Sequence, residues 1–454
     1  MKLGIDFGTS NSAAAAVVDG AIVPVQFGAD AQFKTSVYFP EVMREPEDFT
    51  LTSAQEYQLD QLIDAGRRDA QLSGHARTEE ALRAAALRVV RREWMEAQMR
   101  EPRSSAALLQ NAVYGEDALD AYFAEGEGNL VQSPKSMLGY DLHPRAKQTI
   151  TGIATHILEH IRLTAQRQLG QPVRAATLGR PVQFRSSMGD AGNVQALDIL
   201  HAAALAAGFD AVDFLEEPSA AAMRHHAASD ARHEVVVVDI GGGTTDVAHA
   251  DVGGDEAPRV RRAWGIARGG TDIDLALSLA GFMPLFGRGQ TRVPNHHYTD
   301  AATVHDLARQ RDFARVRFGD KVPQPFRNRL HALQETSNTA RLSRNVERSK
   351  IALSATATHV ADLGYIEPGL RAELQAEGLA TAAGGFLGEM TVLLDQVAAD
   401  IGHDPEAVFL TGGMSRAPYV REAVAAAFPR SRMVHGDPSF GVVQGLALAA
   451  ARGN

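Results

Sequence analysis

The chain has no cysteine. That excludes disulfides, thiolate zinc sites and a cysteine nucleophile, and it fits a reducing compartment. No apolar run approaches the ~20 residues that a membrane-crossing helix needs. No dense run of Lys and Arg occurs either, and the formal net charge is -10, so neither a nucleic-acid surface nor a membrane contact is expected. The nearest basic candidate, Arg88, Arg91 and Arg92, is flanked by acidic residues and reads as a solvated helix face. The N-terminus opens on an apolar strand, Lys2-Leu3-Gly4-Ile5, with no charged-then-apolar leader, which points to a cytoplasmic protein. What remains is an ordinary globular composition, 45% hydrophobic and 22% charged, in 454 residues, too many for one core.

Along the chain, Leu3 to Val25 reads as strand, tight turn, strand, an Asp19-Gly20 hairpin, and strand. Residues 54–112 change character: Leu82, Ala85, Ala86, Val89, Val90 and Trp94 repeat at helical spacing, so this stretch is expected to be a helical insertion. It ends at the Glu125-Gly126-Glu127-Gly128 break. A long helix is expected from about Arg145 to Leu169, striped by Ile150, Ile153, Ile157 and Ile161. A strand at Ala175–Leu178 ends in Gly179-Arg180-Pro181, and a helix from Asn193 to Ala207 stops at Gly208. Val235–Val238 reads as a buried strand and Val247–Val252 as its partner. Residues 271–380 read as mostly helical, with looser stretches at 286–300 and 320–328. Val408-Phe409-Leu410 is a short strand, and a helix from Phe440 to Ala451 closes the chain.

One pattern occurs twice. Gly4-Ile5-Asp6-Phe7-Gly8-Thr9-Ser10 and Val238-Asp239-Ile240-Gly241-Gly242-Gly243-Thr244-Thr245-Asp246 each run apolar strand, Asp, apolar residue, Gly, small hydroxyl residues, strand. Two copies imply two similar lobes facing one ligand. Glycine lets backbone N–H groups crowd around phosphate, and the hydroxyls of Thr9, Ser10, Thr244 and Thr245 can add donors. The Asp6 and Asp239 carboxylates would repel phosphate unless a cation lay between. Magnesium suits, because it keeps several waters and takes few protein ligands. Both turns join strand to strand, unlike a Walker loop, and no Gly-x-x-x-x-Gly-Lys-Ser/Thr occurs. A third glycine turn, Gly412-Gly413-Met414-Ser415-Arg416, lies between a strand and a helix. Its backbone can pack on a base and ribose, with Arg416 able to stack on the base face.

These residues resemble the nucleotide-binding domain of the 70-kilodalton heat-shock chaperones, within the actin and sugar-kinase superfamily. Gly4 to Ser12, including Asn11, is similar to the first phosphate motif. Ser133 to Gly139 resembles the segment that carries the catalytic lysine, and Glu216-Glu217-Pro218 the hinge at the base of the cleft. Asp239 to Asp246 resembles the second phosphate motif, and Gly269-Gly270-Thr271-Asp272-Ile273-Asp274 the start of the upper right subdomain. Val346 to Ser354 resembles the helix that clasps the adenosine, and Gly412 to Arg416 the adenosine motif. The likeness is greatest to the bacterial YegD-like group.

The resemblance implies an α/β actin-like ATPase fold, with two lobes each built on a duplicated ribonuclease-H-like βββαβαβα core. Lobe I would be 1–230, with its core at 1–40 and 141–230 and an upper subdomain at 41–140 holding the insertion. Lobe II would be 231–454, with its core at 231–270 and 384–454 and an upper helical subdomain at 271–383. The implied ligands are ATP or ADP with Mg2+. Lys135 would contact the gamma-phosphate, and Asp6 and Asp239 would hold magnesium through water. Asp239 or Asp246 would lie near the attacking water, Thr244 would bond the phosphate or that water, and Glu217 would report nucleotide state. Glu347, Lys350 and Ser354 would hold ribose and adenine. The implied activity is slow ATP hydrolysis that switches lobe closure, by positioning and charge stabilisation alone. Two other activities stay open: a nucleotide-gated scaffold with little turnover, and a small-molecule kinase.

The chain also departs from the pattern. Ile351 stands where the family has a second arginine, which removes a cation–π contribution of ~0.5–2 kcal/mol to adenine binding. Met414 and Ser439 stand where Ser and Asp are common. The chain ends at Asn454 just after the helix that closes the second lobe, so no linker, peptide-binding domain or lid is expected. The 54–112 insertion is the candidate surface for a protein partner. His156-Ile157-Leu158-Glu159-His160 matches a metalloprotease spacing but sits on an apolar-striped helix. The pairs His225-His226 and His296-His297 read as surface histidines, Arg67-Arg68 as solvated charge, and Ser186-Ser187 lacks a nucleophile elbow.

Overall fold

The computed structural model describes residues 1–40, 51–73, 78–100, 112–335, 337–437 and 440–452. Ser439, residues 101–111 of the expected insertion and the side chain of Trp94 lie outside the described residues. Phe39–Ala112 forms one compact unit, and Met1–Tyr38 with Val113–Asn454 forms the other. In the smaller unit, helices Ser53–Ser73 and Glu79–Arg100 share a core of Leu59, Ile63, Leu82, Ala86 and Val90. Arg67 bridges Asp64 and Glu79 on its exposed side.

The larger unit begins with β1 (Lys2–Phe7), β2 (Asn11–Val18), β3 (Ala21–Pro24) and the short β4 (Gln32–Lys34). Asp19 and Gly20 both take positive φ, 50° and 79°, as a two-residue hairpin turn requires. β5 (Ser36–Phe39), β6 (Val113–Tyr114) and β7 (Asn129–Gln132) make a small sheet in the order β6-β5-β7. Helix Pro144–Leu169 buries its isoleucine stripe and leads to β8 (Ala175–Arg180). Helix Asp190–Ala206 then leads to β9 (Ala211–Glu216). The first large sheet runs β3-β2-β1-β8-β9, with β4 against β2. β1 is antiparallel to β2 and parallel to β8.

β10 (His233–Ile240), β11 (Thr245–Val252) and β12 (Arg259–Ile266) repeat the opening meander. After a helical stretch come β13 (Thr358–Asp362) and β14 (Arg371–Gln375), then β15 (Ala407–Thr411) and β16 (Arg432–His435). The second large sheet runs β12-β11-β10-β15-β16. β10 is antiparallel to β11 and parallel to β15, so the two sheets share one strand order and one set of directions. The mixed α/β architecture is consistent with an actin-like ATPase fold.

The valines of β10 show how the sheets are held. Side chains alternate across a strand. Val235 and Val237 pack with Ala220, Ala221 and Ala222 of helix Glu217–Ala227 and with Leu446 of helix Gly441–Arg452. Val236 and Val238 face a large core that includes Ile273, Leu394 and Val397. Helix Gly441–Arg452 also packs on the first sheet through Val443 and Ala447, against Ala13 and Ala15. The two helices cross almost in contact: a Cβ on Gly445 would lie 1.7 Å from the Ala220 carbonyl oxygen, so only glycine fits there.

The stretch 271–380, mostly helical as expected, also contains a hairpin of β13 and β14 that the expectation did not include. One expectation needs correction: His225 and His226 are not surface residues. Their helix lies between the second sheet and the C-terminal helix, and both are buried. His225 stacks on Phe409 with ring centroids 4.8 Å apart, and His226 Nδ1 accepts the Gly253 N–H at 2.9 Å. His156 and His160 also lie against the core. His160 stacks on Tyr114 at 4.1 Å, and burial pushes both imidazoles down to about 4. No helix among the described residues is long and apolar enough to cross a membrane.

Candidate functional site

The equivalent strand pairs of the two sheets end in glycine turns, and those turns meet. A Cβ on Gly242 would lie 2.2 Å from Ser10 Oγ, and one on Gly243 would lie 2.6 Å from Thr9 Oγ1. A side chain at either glycine would have to displace the facing Ser10 or Thr9 side chain. Asn11 is exposed at the start of β2, beside Gly8-Thr9-Ser10. The second turn is braced from behind by the start of helix Gly270–Leu277. Gly270 N–H donates to the Gly241 carbonyl at 3.0 Å, and Thr271 N–H to the Gly242 carbonyl at 2.8 Å. Gly269 also lies against Gly242. Thr244 closes the turn by accepting the Gly241 N–H at 3.0 Å. Thr245 points away. Its hydroxyl is fully buried and donates to the Arg268 carbonyl, so it is not available to a ligand.

Beneath the turns, four carboxylates surround one ammonium. Asp6 ends β1, and Asp239 and Asp246 are direct cross-strand partners on β10 and β11. Glu217 opens its helix. Lys135 sits on the short helical turn Pro134–Met137, after Ser133, whose φ of 52° is left-handed. Lys135 Nζ donates to Glu217 Oε1 at 2.5 Å, with both side chains under 10% exposed. Like charges opposed on neighbouring strands are unfavourable, and burial makes them more so. Burial, then Glu217, pushes the carboxyls of Asp6 and Asp246 up to about 7 and that of Asp239 well above its usual range. Burial alone would lower the Lys135 ammonium, but Glu217 and Asp6 hold it above its ordinary value. Asp246 accepts the Val182 N–H on Oδ1 at 2.7 Å, and the Thr244 hydroxyl beside the carboxyl favours its charged form, while its buried Oδ2 makes no well-formed hydrogen bond. An acid-rich pocket with an orphaned carboxylate oxygen fits a bound hydrated cation.

The third glycine turn adjoins the same acids: a Cβ on Gly412 would lie 2.5 Å from Asp239 Oδ1. Gly413 is exposed, Met414 is buried against Gly270, and Arg416 is exposed. Across from it, helix Asn338–Leu353 carries Glu347, Lys350 and Ile351. Lys350 Nζ donates to Asp274 Oδ2 at 2.8 Å and to the Gly270 carbonyl at 3.2 Å. Asp274 Oδ1 is buried without a partner. Glu347 pairs with Lys34. Burial alone would raise its carboxyl, but the Lys34 ammonium holds it below the usual range. Ser354 Oγ donates to the Lys350 carbonyl at 2.9 Å, and Ile351 is 63% exposed. A cavity of about 90 Å3 opens between these groups, lined by Ser10, Lys34, Ser133, Arg185, Asp274 and Glu347 among others.

Other polar groups that border this region carry no motif in the sequence. Arg185 bonds the second turn. Arg344 pairs with Asp120 at 2.6 Å and Glu116 at 2.8 Å, and Arg341 donates to the Phe123 carbonyl at 2.7 Å, with its guanidinium 5.2 Å from the Phe123 ring. These contacts tie helix Glu116–Glu125 to helix Asn338–Leu353 above the cavity. Elsewhere, His296, His297 and Asp300 bring ligand atoms within 4.8 Å of one another. The helix N-terminus and Arg309, 3.9 Å from Asp300, both oppose a cation there.

Comparison with known proteins places these residues in context. Residues 130–280, which include Lys135, Glu217, Asp239, Asp246 and Gly269-Gly270, match the Hsp70 protein family. The chain is 27% identical over 333 residues to the chaperone protein HscA homolog of Pseudomonas fluorescens, covering 72% of this chain and 43% of that protein. It is 35% identical over 131 residues to the chaperone protein DnaK of Thermoplasma acidophilum, covering 28% and 19%. To the mitochondrial iron-sulfur cluster biogenesis chaperone of Saccharomyces cerevisiae it is 25% identical over 358 residues, covering 76% and 44%. The chain thus spans less than half the length of each of these relatives. It carries an Hsp70-family domain and is homologous to the HscA and DnaK chaperones.

Proposed function

We propose that this chain is a chaperone-type ATPase, which binds Mg-ATP between the two large sheets and hydrolyses it slowly to switch closure of the cleft. One observation carries the reading: the two glycine turns touch each other beside a cluster of four carboxylates and one lysine, all of them buried except Asp6, which is partly exposed. The shared strand order of the sheets supports reading them as a duplicated ribonuclease-H-like core, with lobes at 1–230 and 231–454. The finer likeness to the YegD-like group, a cytoplasmic site of action, and a partner surface on the 54–112 insertion belong to the same proposal.

The amides and hydroxyls of Gly8, Thr9, Ser10 and Gly241–Thr244 would hold the phosphates. Asp6 and Asp239 would hold magnesium through its waters, with Glu347, Lys350 and the Gly412-Gly413 backbone around ribose and base. Bound magnesium neutralises phosphate charge and orients water. Lys135 would move from Glu217 toward the gamma-phosphate, and Glu217 would thereby couple phosphate occupancy to its helix at the sheet junction. Asp246 Oδ2 is suited to take a proton from attacking water, because its carboxyl already sits near neutrality. A second reading, nucleotide-gated binding with little turnover, draws on the short Lys135–Glu217 bond, which must break before Lys135 can serve phosphate.

The test is Mg-ATP titration and phosphate release by the wild type and Lys135→Ala. Turnover that falls at least tenfold while ATP affinity changes by less than about threefold supports the ATPase reading. Tight binding with no turnover by the wild type supports the gated reading. No binding of ATP or ADP defeats both.

A further inference from the structure

We infer that Arg185 is a further phosphate-binding residue, one that distinguishes a nucleoside triphosphate from a diphosphate; this rests on the nucleotide reading above. Arg185 follows β8 on the side of the first sheet, yet its guanidinium reaches the turn of the second. Nε donates to the Gly243 carbonyl at 3.0 Å, and Nη2 donates to Thr271 Oγ1 at 3.2 Å and to Asp272. Gly243 is also the residue that abuts Thr9. The guanidinium therefore borders the point where the two phosphate turns meet. Its side chain is only 14% exposed.

Three features distinguish this from a simple strut between the halves. The first is spare donor capacity. The bonds above use Nε and Nη2, and none among the described residues uses Nη1, so two N–H donors remain for an oxyanion. The second is the state of Asp272. It also accepts the Gly269 N–H at 2.8 Å and pairs with Arg268 at 3.1 Å. Asp272 therefore stays hydrogen-bonded if Arg185 shifts toward a ligand. The third is charge. Lys135 is committed to Glu217 amid four acids, and Lys34 and Lys350 are paired with Glu347 and Asp274. Arg185 is paired too, with Asp272, but among the described residues it is the cation that both lines the cavity and bonds a phosphate turn while keeping Nη1 unused. His305, on the same wall, adds no competing charge. Burial, then Arg185 itself, pushes its imidazole down to about 4, so it is neutral at pH 7.

A planar guanidinium with free donors binds phosphate oxygens strongly and directionally. The terminal phosphate is what ATP has and ADP lacks, so a group at the meeting point of the turns should act on that difference. A bond from arginine to a charged acceptor makes a loss of about tenfold to a hundredfold reasonable when it is removed.

The experiment is calorimetric titration of the full chain with Mg-ATP and, separately, Mg-ADP, for the wild type, Arg185→Ala and Arg185→Gln. Arg185→Gln keeps a donor for the Gly243 carbonyl but no charge, which covers the case that the alanine variant folds poorly. The expected result is that both variants lose about tenfold or more in ATP affinity, while ADP affinity changes less than about threefold. Equal losses for ATP and ADP would reduce Arg185 to a strut between the halves and overturn the assignment, as would no loss for either. If the wild type binds ADP but shows no preference for ATP, this inference alone fails. If it binds neither, the nucleotide reading fails and this inference with it.

Discussion

Replacing Asp246 with asparagine should stabilise the chain at pH 8 and lose most of that gain by pH 5. Asp246 is buried, its carboxyl is pushed from 3.8 up to about 7, and its Oδ2 makes no well-formed hydrogen bond. A carboxyl whose pKa is raised on folding favours the folded state below its unfolded value. That stability is lost as pH climbs from about 4 through about 7. At ~1.4 kcal/mol per pH decade, holding Asp246 ionised at pH 8 costs the folded chain about 4 kcal/mol. Asp6 is raised in the same way, and the two share neighbours, so the two costs do not add in full. Asp246→Asn removes the charge and keeps the acceptor for the Val182 N–H, but it buries an amide donor without a partner, which costs ~1–3 kcal/mol. The net gain at pH 8 is about 1–3 kcal/mol, or a few degrees in Tm. Near pH 5 the folded carboxyl is protonated but the unfolded one is still mostly ionised, so the penalty falls to about 1.7 kcal/mol and roughly cancels the cost of the buried amide. The assay is differential scanning calorimetry of both proteins without nucleotide from pH 5 to pH 8. A Tm difference that does not vary with pH would refute the reasoning, as would a wild type that grows more stable from pH 5 to pH 8 while the variant does not.

Two further outcomes follow from the packing. Arg344→Ala removes both ion pairs to the exposed Glu116 and Asp120. Such pairs are worth ~0–1 kcal/mol, so Tm should barely move while bound nucleotide dissociates several-fold faster, measured by stopped-flow release of a fluorescent ATP analogue. Unchanged dissociation would show that these pairs do not hold the cleft closed. Gly445→Ala drives a Cβ to within 1.7 Å of a backbone carbonyl that cannot yield cheaply. It should destabilise by ~1–3 kcal/mol or more, and a Tm within about one degree of wild type would contradict the close helix crossing.

The duplicated Asp-Gly turns were readable in the sequence because chemistry and local geometry coincide there: an apolar strand must end in glycine for two backbones to meet. The Asp19-Gly20 hairpin was readable for the same reason, since its positive φ values demand such residues. The β13–β14 hairpin was not. Its residues Thr358-His359-Val360-Ala361-Asp362 alternate only weakly, with Val360 54% exposed, and they follow a strong helical pattern. The burial of His225 and His226 was also hidden. Two adjacent histidines look solvated until a sheet and a second helix cover opposite sides of their own helix. Arg185 had no signal at all. It lies in a loop with no motif, and its meaning depends on Gly243, 58 residues away in the chain. Ile351 marks a different limit: its identity was plain, but its 63% exposure follows only from the path of its helix.

The claim on which the rest depends is that both turns grip a single nucleotide. Hydrogen–deuterium exchange of the backbone amides, read with and without Mg-ATP, tests it most directly. The account predicts that exchange slows together in peptides containing Gly8 to Ser10 and Gly241 to Thr244, with a common dependence on ATP concentration. Protection confined to one turn, or absent from both while ATP is bound, would contradict it.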